Sequence, residues 1–76
     1  MIGIDLGSRN VKIIKFNNGQ ITQRRVYDTI DFYRHYGKIV NNRLQLDWEK
    51  LQLAPEEIVA TGYGKITVQL EGAVQI

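Results

Sequence analysis

The stretch that decides the fold is Met1-Ile-Gly-Ile-Asp5-Leu-Gly7-Ser8-Arg9-Asn10-Val-Lys12-Ile-Ile-Lys-Phe16. Its two apolar segments, residues 1–6 and 10–16, have the length and composition of short β-strands, and a tight turn joins them. The turn brings a carboxylate, a glycine and a hydroxyl together. This combination suits a phosphate, because glycine lets the backbone come close to an anion and successive N–H groups of a turn can point at it.

Three side chains around this turn can contribute to a phosphate site. Ser8 can donate its hydroxyl to a phosphate oxygen, and Lys12 can add a charge-assisted contact from the second strand. Asp5 can hold Mg²⁺ through water, since magnesium keeps several waters and takes one or two carboxylates. The same residue types are also common in hairpins that bind nothing. A carboxylate in a buried strand is costly without a partner, however, and a hairpin does not require one, which favours a functional origin.

Beyond Phe16 the sequence predicts a third strand and a helix. Asn17-Asn18-Gly19 is a turn signal, since Asn and Gly tolerate positive φ, and it folds residues 20–27 back as an antiparallel strand. Asp28 can cap a helix whose apolar residues lie near one face, and Gly37 ends it. Residues 38–46 fit either a small hairpin or a continuation of the helix.

The second half of the chain predicts shorter elements. Residues 47–51 have the pattern of one or two capped helical turns, and residues 58–60 that of a strand. A loop at 61–65 and an alternating, half-buried strand at 66–71 follow, and 73–76 again have strand composition. The predicted fold class is therefore α+β: a three-stranded antiparallel meander with one or two short helices and further strands, in a single small domain over residues 1–76.

The composition is that of an ordinary globular chain with a thin stability margin. Of its 76 residues, 43% are hydrophobic and 24% are charged, which argues against intrinsic disorder. A chain of this size buries only ~60% of the surface that it exposes when unfolded. The absence of cysteine excludes disulfides, thiolate zinc sites and iron–sulfur clusters, so oligomerisation is the remaining means of stabilisation.

Hydropathy and charge limit the partners that we expect. No apolar run is long enough to cross a bilayer and no secretory signal is recognisable, so a cytoplasmic location without membrane contact is the default expectation. The net charge of +2 includes basic residues between positions 24 and 43 that two aspartates interrupt. This spacing is typical of a solvated face and does not favour nucleic acid as a partner. His35 has no second ligand or paired carboxylate at metal-ligand spacing, and we assign it no chemistry.

Two segments carry a resemblance to known ATPases. The first phosphate motif of the actin, sugar kinase and Hsp70 ATPase superfamily resembles Gly3-Ile4-Asp5-Leu6-Gly7-Ser8 followed by Lys12. The Ala-Thr-Gly-Tyr-Gly-Arg segment of the 2-hydroxyacyl-CoA dehydratase activators, and of the related ATPase subunits of benzoyl-CoA reductase, is similar to Val59-Ala60-Thr61-Gly62-Tyr63-Gly64-Lys65. The resemblance implies a partial ribonuclease-H-like, actin-like ATPase domain.

The resemblance also implies a ligand and a set of site residues. Members of that family are ATP-dependent electron donors, with the nucleotide held between two like halves and an iron–sulfur cluster bridging a homodimer. Carried over by motif, ATP or ADP with Mg²⁺ would bind at Asp5, Gly7, Ser8, Arg9 and Lys12, with Asp5 as the metal residue. Arg9 stands where the family has a small hydroxyl residue. We carry no role over to Thr61–Gly64, and the cluster cysteines are missing.

We therefore expect a truncated or stand-alone relative of the dehydratase-activator ATPases with a weak phosphate or nucleotide site. A nucleotide held by one turn is left mostly exposed, far from the 70–90% burial of typical small-ligand sites, so we assign no catalytic residue and expect no ATP hydrolysis by these residues alone. The alternative is a non-catalytic interaction module that self-associates through exposed strand edges or binds a missing partner domain.

Overall fold

The computed structural model describes residues 1–62 and 69–76 and has the α+β composition that the sequence predicts. Its elements, in chain order, are β1 Ile2–Leu6, β2 Asn10–Asn17, β3 Gln20–Asp28, α1 Thr29–Tyr36, β4 Gly37–Val40, β5 Arg43–Leu46, α2 Trp48–Leu51, β6 Ile58–Thr61, β7 Gln69–Leu70 and β8 Ala73–Gln75.

The larger sheet has five strands in the order β3-β2-β1-β6-β8. Strands β1, β2 and β3 form the predicted antiparallel meander, which is thereby confirmed. Asn18 and Gly19 both have positive φ, at 52° and 77°, which matches the twist of a two-residue hairpin turn. On its other side β1 pairs with β6 in parallel, and β6 pairs with β8 in parallel. β1 is therefore the central strand of the sheet.

Helix α1 begins and ends where the sequence predicts. The Asp28 side chain caps it by accepting a hydrogen bond of 3.1 Å from the backbone N–H of Asp31. At the other end the Gly37 N–H donates to the carbonyl of Tyr33. A Cβ at Gly37 would lie only 3.0 Å from that carbonyl oxygen, so this close approach favours glycine.

Residues 38–46 form a hairpin, which decides between the two alternatives that the sequence allows. β4 and β5 pair in antiparallel register around Asn41 and Asn42. These two asparagines have φ values of 51° and 65°, the left-handed conformation that a tight hairpin turn needs and that asparagine tolerates. The hairpin belongs to a second, three-stranded sheet of order β4-β5-β7.

The predicted strand at 66–71 is described only in part. Gln69 and Leu70 form β7 and pair with β5 in parallel, whereas residues 66–68 lie outside the described residues, as do residues 63–65 of the predicted loop.

The hydrophobic core lies on one face of the five-stranded sheet. Along β1 the residues alternate, so that Ile2, Ile4 and Leu6 are buried while Gly3 and Asp5 occupy the opposite face. Both helices and the second sheet pack on the buried face. The buried apolar side chains are Ile2, Ile4, Leu6, Val11, Ile13, Phe32, Leu44, Leu46, Leu51, Leu53, Ile58, Ala60 and Leu70. No helix among the described residues is long and apolar enough to cross a membrane.

The Tyr33 hydroxyl yields a prediction on stability. Its oxygen is buried and, among the described residues, has no hydrogen-bond partner; burial also raises the pKa of this phenol. Since an unpaired buried hydroxyl is a net cost, Tyr33→Phe should raise the free energy of unfolding by about 1 kcal/mol, measured by urea denaturation. Tyr36→Phe, in the same aromatic cluster, is the matched control and should give no such gain. A destabilised Tyr33→Phe variant would show that the hydroxyl is hydrogen-bonded.

Candidate functional site

The first sequence segment that suggested a function and the described part of the second, residues 59–62, meet at one end of the large sheet. In the parallel register of β1 and β6, Ile4 lies beside Ala60 and Asp5 lies beside Thr61. The carboxyl ends of both strands therefore reach the same edge. From β1 the chain turns to β2 on one side, and β8 lies on the other side of β6. This edge therefore collects the end of β1, the turn that follows it and the end of β6.

Gly62 packs directly against the carboxylate of Asp5. Its φ is +74°, and a Cβ at this position would lie 2.6 Å from Asp5 Oδ1 and 3.1 Å from the Leu6 carbonyl oxygen. Only glycine allows this approach together with this backbone conformation. The sequence analysis gave Gly62 no role. Its position directly after a predicted strand places it at a strand end, but the sequence does not show that β1 is the strand beside it.

Asp5 is flanked on its face of the sheet by a cation and a hydroxyl. Lys12 of β2 is its antiparallel partner, and Thr61 of β6 is its parallel partner. The carboxylate is half-buried, whereas Lys12 is exposed, and no ion pair within 4.0 Å joins these two described residues. Asp5 therefore keeps contact with water, and the desolvation cost that the sequence argument attached to it is smaller than for a core position.

The turn between β1 and β2 is closely packed and tied to helix α1. A Cβ at Gly7 would lie 2.6 Å from the Asn10 carbonyl oxygen, so the turn itself requires glycine there. Thr29, the first residue of α1, donates its hydroxyl to the Gly7 carbonyl at 2.8 Å and its backbone N–H to the Arg9 carbonyl at 2.9 Å. Sequence reasoning did not identify Thr29, because nothing local connects it with the turn.

The exposed residues of the turn line a shallow depression. Ser8 and Arg9 are exposed and share it with Asn10, Asp28 and the start of α1. Asp28 also lines this depression, so the depression contains one carboxylate and one guanidinium, that of Arg9.

All five residues predicted to bind the ligand lie at this end of the sheet: Asp5, Gly7, Ser8, Arg9 and Lys12. In the described part of the chain, no cluster of three or more His, Asp or Glu side chains could hold a metal ion. A Mg²⁺ at Asp5 would therefore take its other ligands from water and from phosphate oxygens, which is how magnesium is commonly bound with nucleotides.

No protein-family model, curated protein or solved structure matches this chain.

The contact between Gly62 and Asp5 can be tested against a matched glycine. Gly72 has a similar φ of +82° but open space around its missing Cβ. Gly72→Ala should therefore cost about 1 kcal/mol of unfolding free energy from backbone strain alone. Gly62→Ala should cost about 1–2 kcal/mol more, because its Cβ must displace the Asp5 carboxylate. Urea denaturation measures both, and equal losses in the two variants would contradict the contact.

Proposed function

We propose that the end of the large sheet around Asp5 and Gly62 binds the phosphates of a nucleotide together with Mg²⁺. We further propose that the chain is a relative of the 2-hydroxyacyl-CoA dehydratase activator ATPases, with a ribonuclease-H-like fold. The observation that carries both proposals is the parallel pairing of β1 with β6, which sets Asp5 beside Thr61 and Gly62.

This pairing supports the proposal because it is independent of the sequence resemblance. The two motifs were matched by residue type and order alone, and many folds would keep them apart. Here a crossover through both helices and the β4–β5 hairpin returns the chain to the free edge of β1. The antiparallel meander followed by a parallel neighbour of β1 is also compatible with the fold that the resemblance implies.

Each residue has a physical role in the proposed site. Ser8 donates its hydroxyl to a phosphate oxygen, and Lys12 offsets the phosphate charge. Asp5 orders a water ligand of Mg²⁺. Gly7 closes the turn, and Arg9, exposed beside Ser8, can reach a phosphate that extends from it. We assign binding without hydrolysis, since a nucleotide held by this one turn is left mostly exposed to water.

A titration with Mg-ATP tests this function. Ligand that binds only the folded state raises the melting temperature, and at ten times Kd the gain is about 1.4 kcal/mol, or several degrees for a domain of this size. Ser8→Ala and Lys12→Gln should each reduce the shift. Lys38→Gln, another exposed strand lysine but in the second sheet, is the matched control and should leave it unchanged. The absence of any shift at millimolar Mg-ATP would exclude the proposed function.

A second candidate function, self-association, is favoured by the edges of the large sheet. β3 is a nine-residue edge strand with Ile21 and Val26 exposed, and the opposite edge strand β8 exposes Val74. Unpaired edges of this kind can pair with another chain. Arg24, which is exposed in the middle of β3, opposes a pairing of two β3 strands in which the two copies of Arg24 meet.

Sedimentation velocity distinguishes this candidate. If the edges associate, the wild-type chain should form a dimer whose population falls in Val26→Lys. Ile30→Lys is the matched control, because Ile30 is equally exposed but lies on helix α1. A monomer at all accessible concentrations would remove the self-association candidate and leave the nucleotide proposal unaffected.

A further inference from the structure

Thr29 is a buried polar residue that contacts the turn from behind. Its side chain is only 9% exposed, and it stands at the junction where β3 ends and α1 begins. Both of its donors bind the turn between β1 and β2. The Thr29 hydroxyl donates to the Gly7 carbonyl at 2.8 Å, and the Thr29 backbone N–H donates to the Arg9 carbonyl at 2.9 Å. These two hydrogen bonds hold the carbonyls on either side of Ser8.

The direction of these carbonyls determines where the neighbouring N–H points. A trans peptide is planar, and its C=O and N–H groups point in opposite directions. The described residues contain no cis peptide bond. Because the Gly7 carbonyl points at Thr29, the N–H of Ser8 points away from α1. No hydrogen bond from this N–H is present in the described part of the chain, and Ser8 is exposed.

We propose that Thr29 is a positioning residue that directs the Ser8 N–H towards a phosphate group of the ligand. This inference rests on the proposed function and specifies its ligand chemistry: a phosphate oxygen accepts from the Ser8 backbone as well as from the Ser8 hydroxyl. Thr29 itself does not touch the ligand. Its hydroxyl keeps the Gly7–Ser8 peptide in the orientation that binding needs, so the ligand finds the donor already in place.

The direct test uses the amide proton of Ser8 in the wild-type chain. Inorganic pyrophosphate and Mg-ATP are titrated separately and followed by two-dimensional NMR. A hydrogen bond to phosphate should shift the Ser8 amide proton downfield with both ligands. Binding at other residues with no change at Ser8 would overturn the inference while leaving the proposed function intact. Absence of binding by either ligand would overturn both.

Variants of Thr29 test the positioning role. Thr29→Val removes the hydroxyl at nearly constant volume and should weaken Mg-ATP binding about tenfold, the size of one hydrogen-bond contribution. Thr29→Ser keeps the donor and should restore the affinity. Thr22→Val is the matched control, because Thr22 also donates its hydroxyl to a carbonyl, that of Lys15, but far along β3. It should leave binding unchanged.

The variant outcomes separate the inference from a merely structural role. If folded Thr29→Val binds Mg-ATP as tightly as the wild type, Thr29 does not position the donor and the inference fails. If Thr29→Ser is as weak as Thr29→Val, the hydroxyl is not the group responsible, and the inference also fails. Should Thr29→Val not fold, Thr29→Ala replaces it in the same comparison with Thr29→Ser, and a folded Thr29→Ala that binds as tightly as the wild type overturns the inference.

Discussion

The parallel pairing of β1 with β6 is the constraint on which the rest of this structure depends. β1 is hydrogen-bonded on both edges, and its Ile2, Ile4 and Leu6 are almost completely buried. The pairing continues beyond the strand itself, because the Ile2 N–H donates to the Glu57 carbonyl at 2.8 Å. Without β6, β1 would become an exposed edge strand of the meander, and the crossover that carries both helices would have no fixed end.

The alternation of β1 divides the molecule into a packed face and an open face. A residue shift of one position would move Asp5 into the core and Ile4 into solvent, so the hydrophobic pattern fixes the register strongly. A carboxylate in a central strand costs desolvation energy, and this cost is small for Asp5 because it lies on the open face, beside Lys12 and Thr61. The functional interpretation of Asp5 therefore depends less on the cost of its desolvation than on its neighbours Lys12 and Thr61.

The sequence predicts those parts of the fold that short-range chemistry controls. Asn18-Gly19 specifies a hairpin turn through positive φ, and Asp28 specifies a helix start through one side-chain hydrogen bond. Residues 38–46 were open to two interpretations, because this segment is too short for its apolar pattern to distinguish a hairpin from a continued helix. The pairing partner of β6 was not predictable, since it depends on contacts between residues far apart in the chain.

The candidate site shows the same division between local and long-range information. Its individual residues could be named from the turn alone, whereas the Gly62 contact with Asp5 and the Thr29 contact with Gly7 arise from strand and helix packing. Gly7 is required by the crowded turn whether or not a phosphate binds, so it carries little information about function.

Ser8 and Lys12 are different, because both are exposed and neither contributes to the core. The fold does not depend on their side chains, so these two residues are where binding can be separated from folding. Thr29 lies between these cases, since the fold needs a donor for the Gly7 carbonyl and the proposed site needs the peptide orientation that follows from it. The packing that closes the turn is thus the same packing that would present its backbone donor to a ligand.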